Sequence, residues 1–93
     1  MTTPDNGDAK TFFDIANRFV NLANDSAEEH GRPRVAAAIL WAASRYSAFT
    51  WAMSGASERQ TPEEALDLFC DQYRKMLADN IRLMREESAA PPA

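Results

Sequence analysis

Between Thr11 and His30 the apolar positions recur at helical spacing, with Phe12, Ile15, Ala16, Phe19, Leu22, Ala23 and Ala27 on one side. Asp14, Arg18, Asn21, Asp25 and Glu28 fall on the other. Residues at i, i+3, i+4 and i+7 share one face of a 3.6-residue helix, so the segment predicts an amphipathic helix over 11–30 that lies on something. Thr11 with Asp14 three residues on resembles a weak capping box, and Gly31 suits the left-handed residue that ends a helix. Pro33 suits the first helical turn, so a second helix is predicted over 33–54, after a connection short enough to demand an antiparallel neighbour.

In this second segment Val35, Ile39, Ala42, Tyr46, Phe49 and Met53 form one stripe, and Leu40, Trp41, Ala48 and Trp51 fall on another side. Small residues, Ala36, Ala43, Ser47, Thr50 and Ser54, run between them before Gly55 closes the helix. A helix apolar over most of its circumference is expected to be buried. The third segment opens with the strongest start signal in the chain, Thr61-Pro62-Glu63-Glu64, with Thr61 as N-cap and Glu64 reaching back. Ala65, Leu66, Phe69, Tyr73, Met76, Leu77, Ile81 and Met84 then trace one apolar arc, predicting a helix over 61–87. Phe49 and Phe69 sit in mid-stripe, where truncation to alanine in a closed core costs about 3 to 5 kcal/mol.

No stretch alternates as a strand does, so the predicted fold is all-α, an antiparallel up-down-up three-helix bundle over 11–87. Residues 1–10 and 88–93 lack apolar residues enough to dock and are expected to be disordered tails. Charge fits the same layout. Residues 1–31 hold six acids and two bases, 32–60 one acid and four bases, and 61–93 seven acids and four bases. A basic central helix thus lies between two acidic ones. The overall charge of -4 is the wrong sign for a protein that binds phosphates, so nucleic-acid binding is not expected.

Ninety-three residues suit one small domain, and the single Cys70 rules out an internal disulfide and a cysteine-ligated zinc site. The first ten residues lack the apolar run of a signal peptide, which predicts a cytoplasmic protein. Val35 to Gly55 approaches bilayer length with one charge, Arg45. A mid-span arginine costs about 2.5 to 3.5 kcal/mol on insertion scales, and Ser44, Ser47, Thr50 and Ser54 dilute the apolarity further, so no membrane span is expected.

Ala42-Ala-Ser-Arg-Tyr-Ser-Ala-Phe49 resembles the central helix of a family of small proteobacterial proteins, domain of unknown function 3144. Arg18-Phe-Val-Asn-Leu-Ala-Asn24, Phe69-Cys-Asp-Gln-Tyr-Arg-Lys-Met-Leu77 and Asn80 are similar to the flanking segments, so the resemblance covers about residues 11 to 82. Ser44 and Ser47 stand where the resemblance leads one to expect an alanine and an asparagine. The resemblance implies an all-helical bacterial domain and carries no activity, substrate or cofactor.

Acid-base or nucleophilic catalysis needs a convergent set of titratable groups, and this chain has one histidine and one cysteine. His30, in the last turn of the first helix, suits the carbonyl end of its dipole, and Cys70, at the edge of the third arc, suits a place as small core filler. Glycine-rich phosphate loops and metal-binding runs are missing, so no enzyme, cofactor or metal site is expected. Two binding readings remain. Arg45, Tyr46, Tyr73 and Asn80 are polar groups on otherwise apolar faces. They are expected to form a register-fixing network, with Arg45 partly buried against a carboxylate or a tyrosine hydroxyl, or else to line a pocket for a small apolar ligand between helices. Leu40, Trp41, Ala48 and Trp51 form the apolar surplus that two neighbouring helices cannot cover, and predict contact with a protein partner or a weak homodimer through the second helix. The protein-binding module is the first reading.

Overall fold

A computed structural model of the chain describes residues 6–89. Three helices follow one another, α1 (Asn6–His30), α2 (Arg32–Met53) and α3 (Pro62–Ala89), with one 3-10 turn at Ala56–Glu58 before α3. Among the described residues there is no strand, so the fold class is all-α, with three helices where the apolar spacing places them. Asn6–Lys10, Ser88 and Ala89, expected within disordered tails over 1–10 and 88–93, are helical; the rest of those expected tails, residues 1–5 and 90–93, lies outside the described range. Thr11 is therefore inside α1 rather than at its start. Asp8 occupies the favourable first turn, and Lys10 Nζ reaches Asp14 Oδ2 at 3.0 Å, an i,i+4 pair that carries the helix through the expected cap.

The chain divides into two units, Met1–Arg45 and Tyr46–Ala93, and α2 contributes to both. In the first unit, one residue reverses the chain. Gly31 adopts φ 88° and donates its N–H to the Ala27 carbonyl at 2.8 Å, while its own carbonyl accepts from Val35 N–H at 3.2 Å. It thus ends α1 and opens α2, and the left-handed backbone there is the reason a glycine is needed. Ala23, Ala27 and Val35, beside this reversal, are half-buried.

The second unit turns a corner between α2 and α3. Gly55, at φ 83°, ends α2, and Arg59 and Gln60 N–H both donate to the Ala56 carbonyl at 2.9 Å. Thr61 Oγ1 accepts from Glu64 N–H at 3.1 Å, and Glu64 Oε1 accepts from Thr61 N–H at 2.9 Å. The capping box legible in Thr61–Glu64 is therefore formed in both directions. Trp51 and Phe69 are half-buried, and Ala65, just after the cap, is the one buried residue among those described, at 7% exposure.

Burial is where expectation and structure part. α2 has no buried residue, although its apolar circumference predicted one buried throughout. Its half-covered positions are Val35, beside the first reversal, and Ser47 and Trp51, toward the corner. Tyr46 is 69% exposed and Met53 72%, and Phe12, Phe19, Leu66, Met76 and Met84 also stand open. Cys70, expected as core filler, is exposed as well, since it lies on an α3 surface that no neighbouring helix covers. The ion pairs among the described residues join neighbours on one helix, as in Lys75–Asp71 at 3.0 Å and Arg82–Glu86 at 3.2 Å. Such exposed pairs contribute only a few tenths of a kcal/mol each and tie no two helices together.

Candidate functional site

α2 is built from residues that satisfy their polar groups locally and leave their apolar groups outward. Ser44 Oγ donates to the Trp41 carbonyl at 2.7 Å, and Thr50 Oγ1 to the Ser47 carbonyl at 2.9 Å. These back-bonds let hydroxyls sit in an apolar helix without seeking a partner elsewhere. Arg45 was expected to be partly buried against a carboxylate or a tyrosine hydroxyl. It is exposed, and its guanidinium carbon stands 5.9 Å from the centre of the Trp41 ring. The reason is spacing: the Trp41 ring lies four positions back on the same face of a helix that carries no acid, and an exposed cation–π contact of this kind contributes about 0.5 to 1 kcal/mol.

The four residues proposed for a protein contact do not share one environment. Leu40, Trp41 and Ala48 are exposed, Trp41 at 64%. Trp51 is half-buried and donates its indole N–H to Gln60 Oε1 at 3.0 Å. It braces the corner before α3. Of the residues proposed for a ligand, Tyr73 lies in a shallow groove with Cys70, Arg74, Leu77, Ala78 and Ile81, all on α3. Asn80 is exposed and donates its side-chain amide to the Met76 carbonyl at 3.1 Å, one turn back. Tyr46 is paired with the Phe49 ring, the centroids 6.3 Å apart. Among the described residues no three histidine, cysteine or carboxylate side chains gather as a metal would require, and no helix is long and apolar enough to cross a membrane.

One pattern in the open stripes is finer than the amphipathic spacing from which they were first drawn. Along α2, Val35, Ile39, Ala42, Tyr46, Phe49 and Met53 are separated by alternating steps of four and three. Along α3, Leu66, Phe69, Tyr73, Met76, Asn80 and Leu83 repeat the same alternation. This is the heptad phase of helices that interlock knobs into holes. Leu83 was missing from the expected α3 arc, and the four-three rhythm is the signal that finds it. Five of the six α2 positions are exposed, and so are five of the six on α3.

A family model described as "Protein of unknown function (DUF3144)" matches residues 12–83. The chain belongs to this family. In this DUF3144 chain the matched region opens within α1 and closes at Leu83, the last position of the α3 stripe, and it contains the Gly31 reversal, the corner before α3 and both heptad stripes. No curated protein and no solved structure matches the chain. The DUF3144 description names no activity, so the roles of its residues rest on their chemistry and placement.

Proposed function

We propose that this DUF3144 chain is a small, non-enzymatic, cytoplasmic protein-binding module whose contact surface is centred on α2. The observation that carries this reading is the exposure of the large apolar side chains along α2, Leu40, Trp41, Tyr46, Phe49 and Met53 among them. Folded monomers rarely leave contiguous apolar patches larger than a few hundred Å² open, and patches that contain aromatic anchors commonly meet other proteins. Trp41 with Arg45 laid against its ring is such an anchor, apolar in body and cationic at the rim. A non-enzymatic role is supported by a single histidine and a single cysteine, each exposed. The small-ligand alternative draws less support, since the groove around Tyr73 is formed by one helix and lies open to water.

The test is co-purification from the native host with wild type, Leu40→Ala and Trp41→Ala baits, each first shown to keep wild-type helicity and melting temperature. A protein recovered with wild type and lost with both variants supports the module. Identical recoveries from all three baits, or no recovery together with a closed, self-sufficient monomer, overturn it.

A further inference from the structure

The two stripes that stand open on this chain fit each other. α2 carries Arg32, Arg34 and Arg45 and no acid, whereas α3 carries Glu63, Glu64, Asp67, Asp71, Asp79, Glu86 and Glu87 against four bases. Both stripes keep heptad phase over the same number of positions. None of the three α2 arginines has an ion-pair partner among the described residues, and the α3 acids that do pair are matched within their own helix. The α2 arginines and the α3 acids outside those pairs, Glu63, Asp67 and Glu87 among them, are complementary in sign. A surface and its complement on one chain are what an isologous dimer requires, since each face is then used twice, once from each copy.

We propose that a second copy of this chain covers these stripes, in a two-fold dimer where the Ile39–Tyr46–Phe49–Met53 side of α2 packs against the Leu66–Met76–Leu83 side of α3 from the other copy. Asn80 then stands within the packed seam, the one amide side chain in the α3 heptad. A lone seam asparagine weakens a helical assembly while fixing its register and copy number. This inference rests on the protein-binding reading and goes beyond it: the second copy takes the Tyr46 side, leaving Leu40, Trp41 and Ala48 for a different protein.

Sedimentation equilibrium and thermal melts over a hundredfold range of chain concentration test it. Wild type is expected at twice the 10.4 kDa chain mass, with a melting temperature that rises with concentration. Asn80→Leu should tighten self-association about tenfold or more, whereas Phe49→Glu should abolish it. Trp41→Ala should leave the mass unchanged. A wild-type monomer at every concentration, a mass of three or more chains, or a dimer indifferent to both Asn80→Leu and Phe49→Glu overturns the proposal. The two readings separate cleanly. A monomer that still recovers a host protein through Trp41 removes the dimer and leaves the module, whereas a monomer that recovers nothing removes both.

Discussion

Trp51→Phe separates a corner brace from a contact residue, which the apolar pattern of α2 could not do. The substitution keeps a ring in the half-buried site but removes the indole N–H that donates to Gln60 Oε1 at 3.0 Å. A net neutral hydrogen bond contributes about 0.5 to 1.5 kcal/mol, and loss of the second ring adds a packing loss of its own. To isolate the bond, Trp51→Phe is combined with Gln60→Leu in a double-mutant cycle. Both partners are half-buried, so each single variant leaves the remaining group able to reach water, and the coupling energy approximates the bond itself. The expected coupling is about 1 kcal/mol, read from urea unfolding followed by far-ultraviolet circular dichroism. Chain concentration must be held constant, because self-association would otherwise enter the midpoint. In a domain of this size 1 kcal/mol corresponds to about 4 to 8 °C in melting temperature. Trp41→Phe, at an exposed position, should stay within about 0.5 kcal/mol of wild type. A coupling near zero, or an equal loss from Trp41→Phe, would refute the assignment of Trp51 to the corner.

Thr61→Ala should cost about 1 kcal/mol by leaving the Glu64 N–H without its side-chain acceptor, and Thr61→Asp should restore most of it, both measured by thermal melts. Gly55→Ala should cost about 1 to 2 kcal/mol with no steric component, since nothing lies within 4 Å of the added methyl while the backbone stays at φ +83°; Gly55→Asn should cost less, and equal losses would point to something other than backbone strain. Phe49→Ala is a sharp comparison: for a side chain 57% exposed in the single chain the loss should be about 1 kcal/mol, whereas burial in a dimer raises it to about 3 to 5 kcal/mol per site, which sedimentation and urea unfolding distinguish at once.

The features that could be read from residue order alone are those settled within one or two turns of chain. Thr61 and Glu64 cap each other across three residues, and Gly31 and Gly55 end helices with left-handed backbones that few other residues adopt. Arg45 was misjudged because its partner was sought on another helix, when the Trp41 ring lay four residues back on its own; Asn80 likewise bonds the Met76 carbonyl four residues back. Thr11 misled differently: its spacing from Asp14 imitates a cap, yet no helix breaker separates Asp8 from it, and α1 runs on toward Asn6. What covers α2 is a non-local question, for which amphipathic spacing gives a need and not an answer. The same limit explains Trp51, which spacing grouped with Trp41 and a bond to Gln60, nine residues on, sets apart.

The single-residue reversal at Gly31 makes α1 and α2 rotationally geared. Each residue added to or removed from a helix turns everything beyond it by about 100°, and here no slack exists to absorb the turn. One residue inserted between Asp25 and Gly31 would swing the Phe12–Phe19 side of α1 round relative to α2, while an insertion among Ala56–Gln60 meets seven residues of non-α-helical linker between Met53 and Thr61 that can take it up. Length variation should therefore be tolerated at the second connection and selected against at the first. A deep insertion-and-deletion library scored for soluble expression would display that asymmetry directly, as a scar-free zone ending where α2 begins.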